Sequence, residues 1–369
     1  RTGISRDEIR IGIHAPITGA AAIQTFDKGI EVYSRFAGKI AGAGNRSLKV
    51  VYRDDKFNPS SAVDACKDMV QREKVFLLIG GAGADQIEAC AKYANTVGVP
   101  YLSPGVTEGG FRNLPNYFAL SETYNQQNVQ IGQLIKNQVQ GKTKVGIVLT
   151  DSPLLDETNE SIRKELGAAG LTPLKTYRLP KDANANQART IAGNLKDDGA
   201  EVVYALISPT VFIYLVGGAT SNTYFPTFVG PGLSNGLNLV AAGICSNSPN
   251  ADVRYLSPMV QLDKIDQQDK DYRPAYRQKN GAGNEPDDIG ILLWGLEKSI
   301  RLMVEATGPD ISRQSFISTL KSGKTFATNV YAPVKYGNVP HFGASQITLL
   351  KMNCNRREFD TVAMFVSSF

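Results

Sequence analysis

Histidine, tryptophan and cysteine are scarce in this chain: two, one and four among 369 residues. The four cysteines, Cys66, Cys90, Cys245 and Cys354, form no CxxC pair. With only His14 and His341 beside them, a Cys/His zinc site is not expected. No stretch approaches the ~18 uninterrupted apolar residues of a membrane span. Lys plus Arg number 40 against 35 Asp plus Glu, and the small excess is spread along the chain. Without a basic run to track a phosphate backbone, nucleic acid is not an expected partner. The opening RTGISRDEI lacks the apolar centre of a signal peptide, so an exported form would have lost its signal before this numbering begins. There is no GxxxxGK[ST] loop. The Gly80–Asp85 run GGAGAD fails the dinucleotide fingerprint, because Gln86 stands where a third glycine is needed. No cofactor is implied.

What is present points to two α/β domains. The length exceeds what one hydrophobic core usually supports, and 42% apolar with 20% charged residues is ordinary for a folded chain. Strand and helix patterns alternate through the first third. Ile9–Ala15 reads as a strand, 26–41 as a helix and Ser47–Tyr52 as the next strand. Asn58-Pro59 opens a helix, with Asn58 as cap. Val75–Gly80 is an apolar, buried strand. Asp85, with Glu88 three residues on, predicts the cap of a further helix. The pattern restarts after about residue 120, with strands at 144–150, 172–178, 201–207 and 226–230, helices between them, and a long helix over 287–305. Such βα alternation makes parallel sheets covered on both faces.

On count alone the cysteines fit either two disulfides in an oxidising compartment or buried free thiols. The element order favours disulfides. Cys66 and Cys90 lie on the sheet-facing stripes of consecutive helices that right-handed crossovers place side by side. Cys245 and Cys354 pair by elimination.

In open α/β sheets ligands bind beyond the carboxyl ends of strands. Six loops hold that position: 16–24, 81–85, 104–110, 151–157, 208–211 and 231–235. Their Gly, Ala, Ser, Thr and Pro residues let backbone amides approach a ligand closely. Any one such loop could be no more than a turn; three from each half could face one another across a cleft. Gly232-Leu233-Ser234-Asn235-Gly236 is a literal GxSxG, with His341 downstream. It has no HGGG-type segment, and Pro231-Gly232 leaves the strand early, so an α/β-hydrolase built on Ser234 is the remote alternative and no enzyme is expected. His14 is expected to be a satisfied core or rim histidine, Asp54-Asp55 a solvated loop or local cap, and Trp294 core.

IRIGIHAPITG, VVYRDDKFNPSSAVDACKDMV, VFLLIGGAGADQIEACAKYANTVGVPYLSPG, VGIVLTDSPLLDETNESI, FPTFVGPGLSN and DDIGILLWGLEKSI together resemble the branched-chain amino acid (Leu/Ile/Val) binding proteins of ABC transporters. The resemblance covers essentially the whole chain. It implies a type I, Venus-flytrap architecture of two Rossmann-like lobes joined by three crossing strands. Residues 1–120 plus 261–331 would form the first lobe, and 121–260 plus 332–369 the second, with the ligand cleft between them. It further implies a monomeric, extracytoplasmic protein, in the periplasm or on the cell surface, with or without a lipid on the lost N-terminus. Its partners would be a small molecule and the permease subunits of an ABC importer.

The resemblance also implies a ligand set, carried over position by position. A threonine that grips the ligand carboxylate is retained as Thr107, but the serine position that shares this grip holds Ala84. The acidic residue that anchors the ammonium group is replaced by Gly232. Tyrosine positions of the second lobe fall at Leu155 and Ser208. An unpaired ammonium is costly to bury. The expected ligand is therefore an aromatic or hydrophobic acid, or a neutral metabolite, and not an α-amino acid. Ala20, Ala21, Ala22, Ile23 and Leu155 would supply apolar walls. Gln24, Ala82, Gly83, Gly105, Tyr124, Pro209 and Leu233 complete the expected contacts. A ligand-sensing receptor domain of the same fold and a branched-chain amino acid binder are the alternatives.

Overall fold

The computed structural model describes residues 2–19, 21–104, 111–232, 236–337 and 341–369. The chain forms two compact units, Arg1–Glu122 with Pro258–Ser345, and Thr123–Ser257 with Gln346–Phe369, and so passes from one to the other three times.

The first unit starts with β1 (Glu8–Ala15), α1 (Phe26–Gly29), α2 (Val32–Ala37), β2 (Ser47–Asp54), α3 (Pro59–Gln71), β3 (Leu77–Gly80), α4 (Ala84–Thr96), β4 (Tyr101–Ser103) and β5 (Tyr117–Ala119). Its sheet has the order β2-β1-β3-β4-β5, parallel throughout. Ile9, Ile11, Ile13, Leu77, Leu78 and Ile79 are buried, as strands covered on both faces require. The α3 start is built as its sequence predicts: the Asn58 side chain accepts from the amides of Ser60 (2.9 Å) and Ser61 (3.2 Å), with Pro59 at the first helical position. A cap of this kind is worth about 1 kcal/mol.

The second unit follows with α5 (Tyr124–Gln138), β6 (Lys144–Thr150), α6 (Asp156–Ala168), β7 (Thr172–Leu179), α7 (Ala185–Asp197), β8 (Val202–Leu206), α8 (Pro209–Ser221), β9 (Thr227–Gly230), α9 (Leu237–Asn247) and β10 (Asp252–Ser257). The chain then returns to the first unit with α10 (Ile265–Gln268), α11 (Tyr272–Asn280), α12 (Asp288–Thr307), α13 (Arg313–Lys321), β11 (Thr325–Phe326) and β12 (Val334–Lys335). It ends in the second unit with β13 (Ile347–Asn353) and β14 (Glu358–Val366). The second sheet runs β14-β13-β10-β9-β8-β6-β7, with β13 antiparallel to both β10 and β14.

Four sequence expectations need correction. Residues 332–345 belong to the first unit, where β12 pairs with β11 and Phe342 bridges to Ala119. The helix predicted over 26–41 is broken: Glu31 takes φ 61° between α1 and α2. Asp85 is not the cap of α4. Gly83 is, without a side-chain cap bond, and Asp85 lies one residue inside the helix. Asp55 is not solvated but fully buried. Both disulfides are formed, Cys66–Cys90 between α3 and α4, and Cys245–Cys354 between α9 and the turn after β13. Among the described residues no helix is long and apolar enough to cross a membrane.

Candidate ligand-binding site

The carboxyl ends of β1, β2 and β3 are tied together through Tyr101, the first residue of β4. His14 Nδ1 lies 2.8 Å from Asp55 Oδ2, and its Nε2 lies 2.7 Å from the Tyr101 hydroxyl. That hydroxyl donates to the Gly80 carbonyl at 2.7 Å. A phenol has one proton, so Nε2 is the donor to the Tyr101 oxygen. His14 is thus the satisfied core histidine expected, and Asp55, which also accepts from the Phe57 amide at 2.9 Å, is its partner. Burial raises the Tyr101 hydroxyl well above its ordinary value and keeps it a neutral donor.

Above this network, Asp54 organises loop 16–24. Its Oδ1 accepts from the amides of Ile17 (3.0 Å), Thr18 (3.2 Å) and Lys56 (2.9 Å), and the Thr18 hydroxyl donates to its second oxygen. Partial burial opposes the charge, but the Thr18 hydroxyl and these amides outweigh it and hold the carboxyl below its ordinary range. Ala21, Ala22 and Ile23 are half-buried and Gln24 is exposed. Ala20 lies outside the described residues.

The loop after β3 is backbone-lined by necessity. At Gly80, with φ 132°, a Cβ would lie 2.2 Å from the His14 carbonyl oxygen. Ala82, Gly83 and Ala84 follow, half-buried, at the start of α4. Beneath them Gln86 is fully buried, and neither side-chain Nε2 nor Oε1 has a hydrogen-bond partner. Gln86 and Phe57, whose ring also packs at Gly83, are residues the sequence reading missed. A signal existed: Gln86, Cys90 and Ala94 share one stripe of α4, so a polar residue stands on a buried face. Gly105 and Thr107 lie outside the described residues.

In the second unit, Tyr124 is the first residue of α5, fixed by a Thr123–Gln126 capping box. Gly232 has φ 53°, and a Cβ there would lie 3.0 Å from Tyr124 Cε1 and 3.5 Å from Gln127 Nε2. Ser208 precedes Pro209 at the start of α8, and its hydroxyl donates to the Lys181 carbonyl at 2.9 Å. Leu155 is expected as an apolar wall of the site. It is buried in the second unit's core with Ile131, Ile147 and Ile162. Leu233 and Ser234 lie outside the described residues. His341, the imagined hydrolase partner of Ser234, sits in the first unit, where its Nδ1 donates to the Tyr117 carbonyl at 2.8 Å and its ring stacks on Phe118 at 4.3 Å. Burial pushes its pKa down.

Each loop cluster, taken by itself, combines small residues with backbone amides at the ends of parallel strands. The chain is similar to an amino acid binding protein of Pseudomonas aeruginosa, 25% identical over 205 residues; with 53% of each aligned, it spans about half the length of that curated relative. Its fold is that of a solute-binding protein of an R. palustris ABC transporter solved in complex with benzoate, with TM-score 0.77, 19% identity and 98% of each chain covered. It is also that of a leucine binding protein from Thermotoga maritima, with TM-score 0.80, 13% identity, and 96% of this chain and 98% of that one covered. The family described as periplasmic binding protein matches residues 8–357, nearly the whole chain, and the chain belongs to that family.

Proposed function

We propose that this chain is the extracytoplasmic receptor of an ABC importer, that it acts as a monomer without turnover, and that its ligand is an aromatic or hydrophobic acid with no free amine. Loops of both units would close on the ligand, with closure driven by interactions the ligand makes only in the closed state. Ala21, Ala22, Gln24, Ala82, Gly83, Ala84, Gly105 and Thr107 would serve from the first unit, and Tyr124, Ser208, Pro209, Gly232 and Leu233 from the second.

Gly232 carries the reading. The position that would anchor an ammonium group has no side chain, a left-handed backbone and the Tyr124 ring against it. The side chains nearest to a Cβ at that position, Tyr124 and Gln127, are neutral. The benzoate bound by the R. palustris neighbour makes aromatic acids the first class to try. Native mass spectrometry of the purified protein, followed by a thermal-shift panel of aromatic acids, fatty acids and amino acids, tests the reading. The expected outcome is stabilisation by acids that lack an amine. Stabilisation confined to leucine, isoleucine or valine would overturn it. The Ser234→Ala variant should bind the same ligands, and turnover abolished by that change would restore the hydrolase alternative.

A further inference from the structure

Resting on the ligand class just proposed, we propose that Gln86 determines specificity within it: its carboxamide reads a hydroxyl group on the ligand. The side chain is fully buried, and both its Nε2 and its Oε1 lack a partner. An unmade pair of this kind is a standing cost that folded proteins rarely keep without a use. The amide folds back toward the N-terminal end of α4 and lies against Gly83, where a Cβ would come 2.2 Å from Oε1. Gly83 is half-buried and bears no side chain, so the carboxamide can turn outward past it to meet a ligand.

The donor and acceptor inventory chooses the ligand group. A carboxamide offers two N–H donors and one acceptor, and here both ends are unmet. A group that both accepts and donates answers both ends, and a hydroxyl is the simplest. A carboxylate would satisfy Nε2 alone and would approach Asp85, whose Oδ1 already accepts from the Gln86 backbone N–H at 3.2 Å. Beside the carboxamide, the Phe57 ring carbon Cε2 lies 3.0 Å from the same Gly83 position, and the Ile87 side chain packs against Gly81. An aromatic or aliphatic carbon next to the hydroxyl therefore meets apolar surface. The ligand class is a hydroxylated hydrophobic acid, read at the end away from its carboxylate.

The test uses the full chain and a matched pair of probes, 4-hydroxybenzoate and benzoate. Wild type should bind the hydroxylated probe at least tenfold more tightly, because a site built to hydrogen-bond a hydroxyl rejects the analogue without it. In Gln86→Leu and Gln86→Met that ratio should fall to within about twofold. The free variants should also melt about 2–4 °C higher than wild type, since an unmet buried polar group has been removed. A structural glutamine predicts the opposite sign in the melt. A hydroxyl preference retained by both variants, or melting temperatures lowered in both, overturns the inference while leaving the ligand class intact. Binding of leucine, isoleucine or valine but neither probe overturns the ligand class and this inference with it.

Discussion

A side chain at position 232 would have to accept a φ of 53° with its Cβ 3.0 Å from the Tyr124 ring. Left-handed backbone alone costs an ordinary residue about 1 kcal/mol or more. Gly232→Ala should therefore destabilise the second unit by about 1–2 kcal/mol, read as a lowered urea midpoint. Gly232→Glu should carry the same penalty, because it needs the same backbone conformation. A second residue-scale prediction concerns His14. Replacing it with leucine leaves the buried Asp55 carboxyl with the Phe57 amide as its remaining described partner. Removing one partner of a buried pair costs about 3 kcal/mol or more, so His14→Leu should melt far below His14→Asn, which keeps a hydrogen-bonding group. The glycine and the two carboxylates were visible as letters, but their roles were not equally legible. Asp54 was readable only in part: its bond from the Lys56 amide is local, but its bonds from Ile17 and Thr18 come from 36–37 residues away. Asp55 was not, because its partner stands 41 residues away on another strand.

The break between α1 and α2 has the same lesson at the scale of elements. The residues from 26 to 41 carry a continuous helical pattern, yet distant side chains hold its middle apart. Lys279 on α11 donates to the carbonyls of Asp27 (2.6 Å), Lys28 (3.2 Å) and Ile30, closing the end of α1. Glu297 on α12 accepts from the amides of Glu31 and Ser34, both at 2.8 Å, opening α2. A cation at a helix end and an anion at a helix start both suit the backbone dipoles, but nothing local to residues 26–41 announces either. By contrast β1, α3 and α12 were legible, because alternation, an Asn-Pro cap and a long apolar helical face are local signals.

Glu297 also makes this element sensitive to pH. Burial raises its pKa from 4.5 to about 7, against the opposing bonds from Ser34 and the Glu31 amide; the Glu31 carboxylate adds to the rise. An acid whose folded pKa lies above its unfolded value binds its proton more tightly when folded. The stability this contributes is complete below about pH 4.5 and is lost as pH rises through about 7. Between pH 5 and pH 8 the wild-type melting temperature should therefore fall relative to Glu297→Gln, and a parallel pair of curves would contradict this.

Over the whole molecule, each unit carries its own disulfide, but the two are not equally protected. Cys66 and Cys90 are fully buried, whereas Cys245 retains some exposure and Cys354 is only partly buried. Mild reductant acting on the folded chain should open Cys245–Cys354 first, as mapped by alkylation and mass spectrometry. This bridge spans 109 residues against 24 for the other, so its loss should also release more chain entropy. The two-unit organisation was readable because each unit repeats a βα grammar. The return of residues 332–345 to the first unit was not, because it depends on the short β11–β12 pairing and a bridge at Phe342.

The central claim is a receptor whose site has given up the amine anchor. Isothermal titration calorimetry tests it most directly, on protein unfolded and refolded to remove any ligand carried from expression. The account predicts saturable binding of an amine-free aromatic acid such as benzoate or 4-hydroxybenzoate, and no heat from leucine, isoleucine or valine at the same concentrations. Micromolar binding of any of those three amino acids would contradict it.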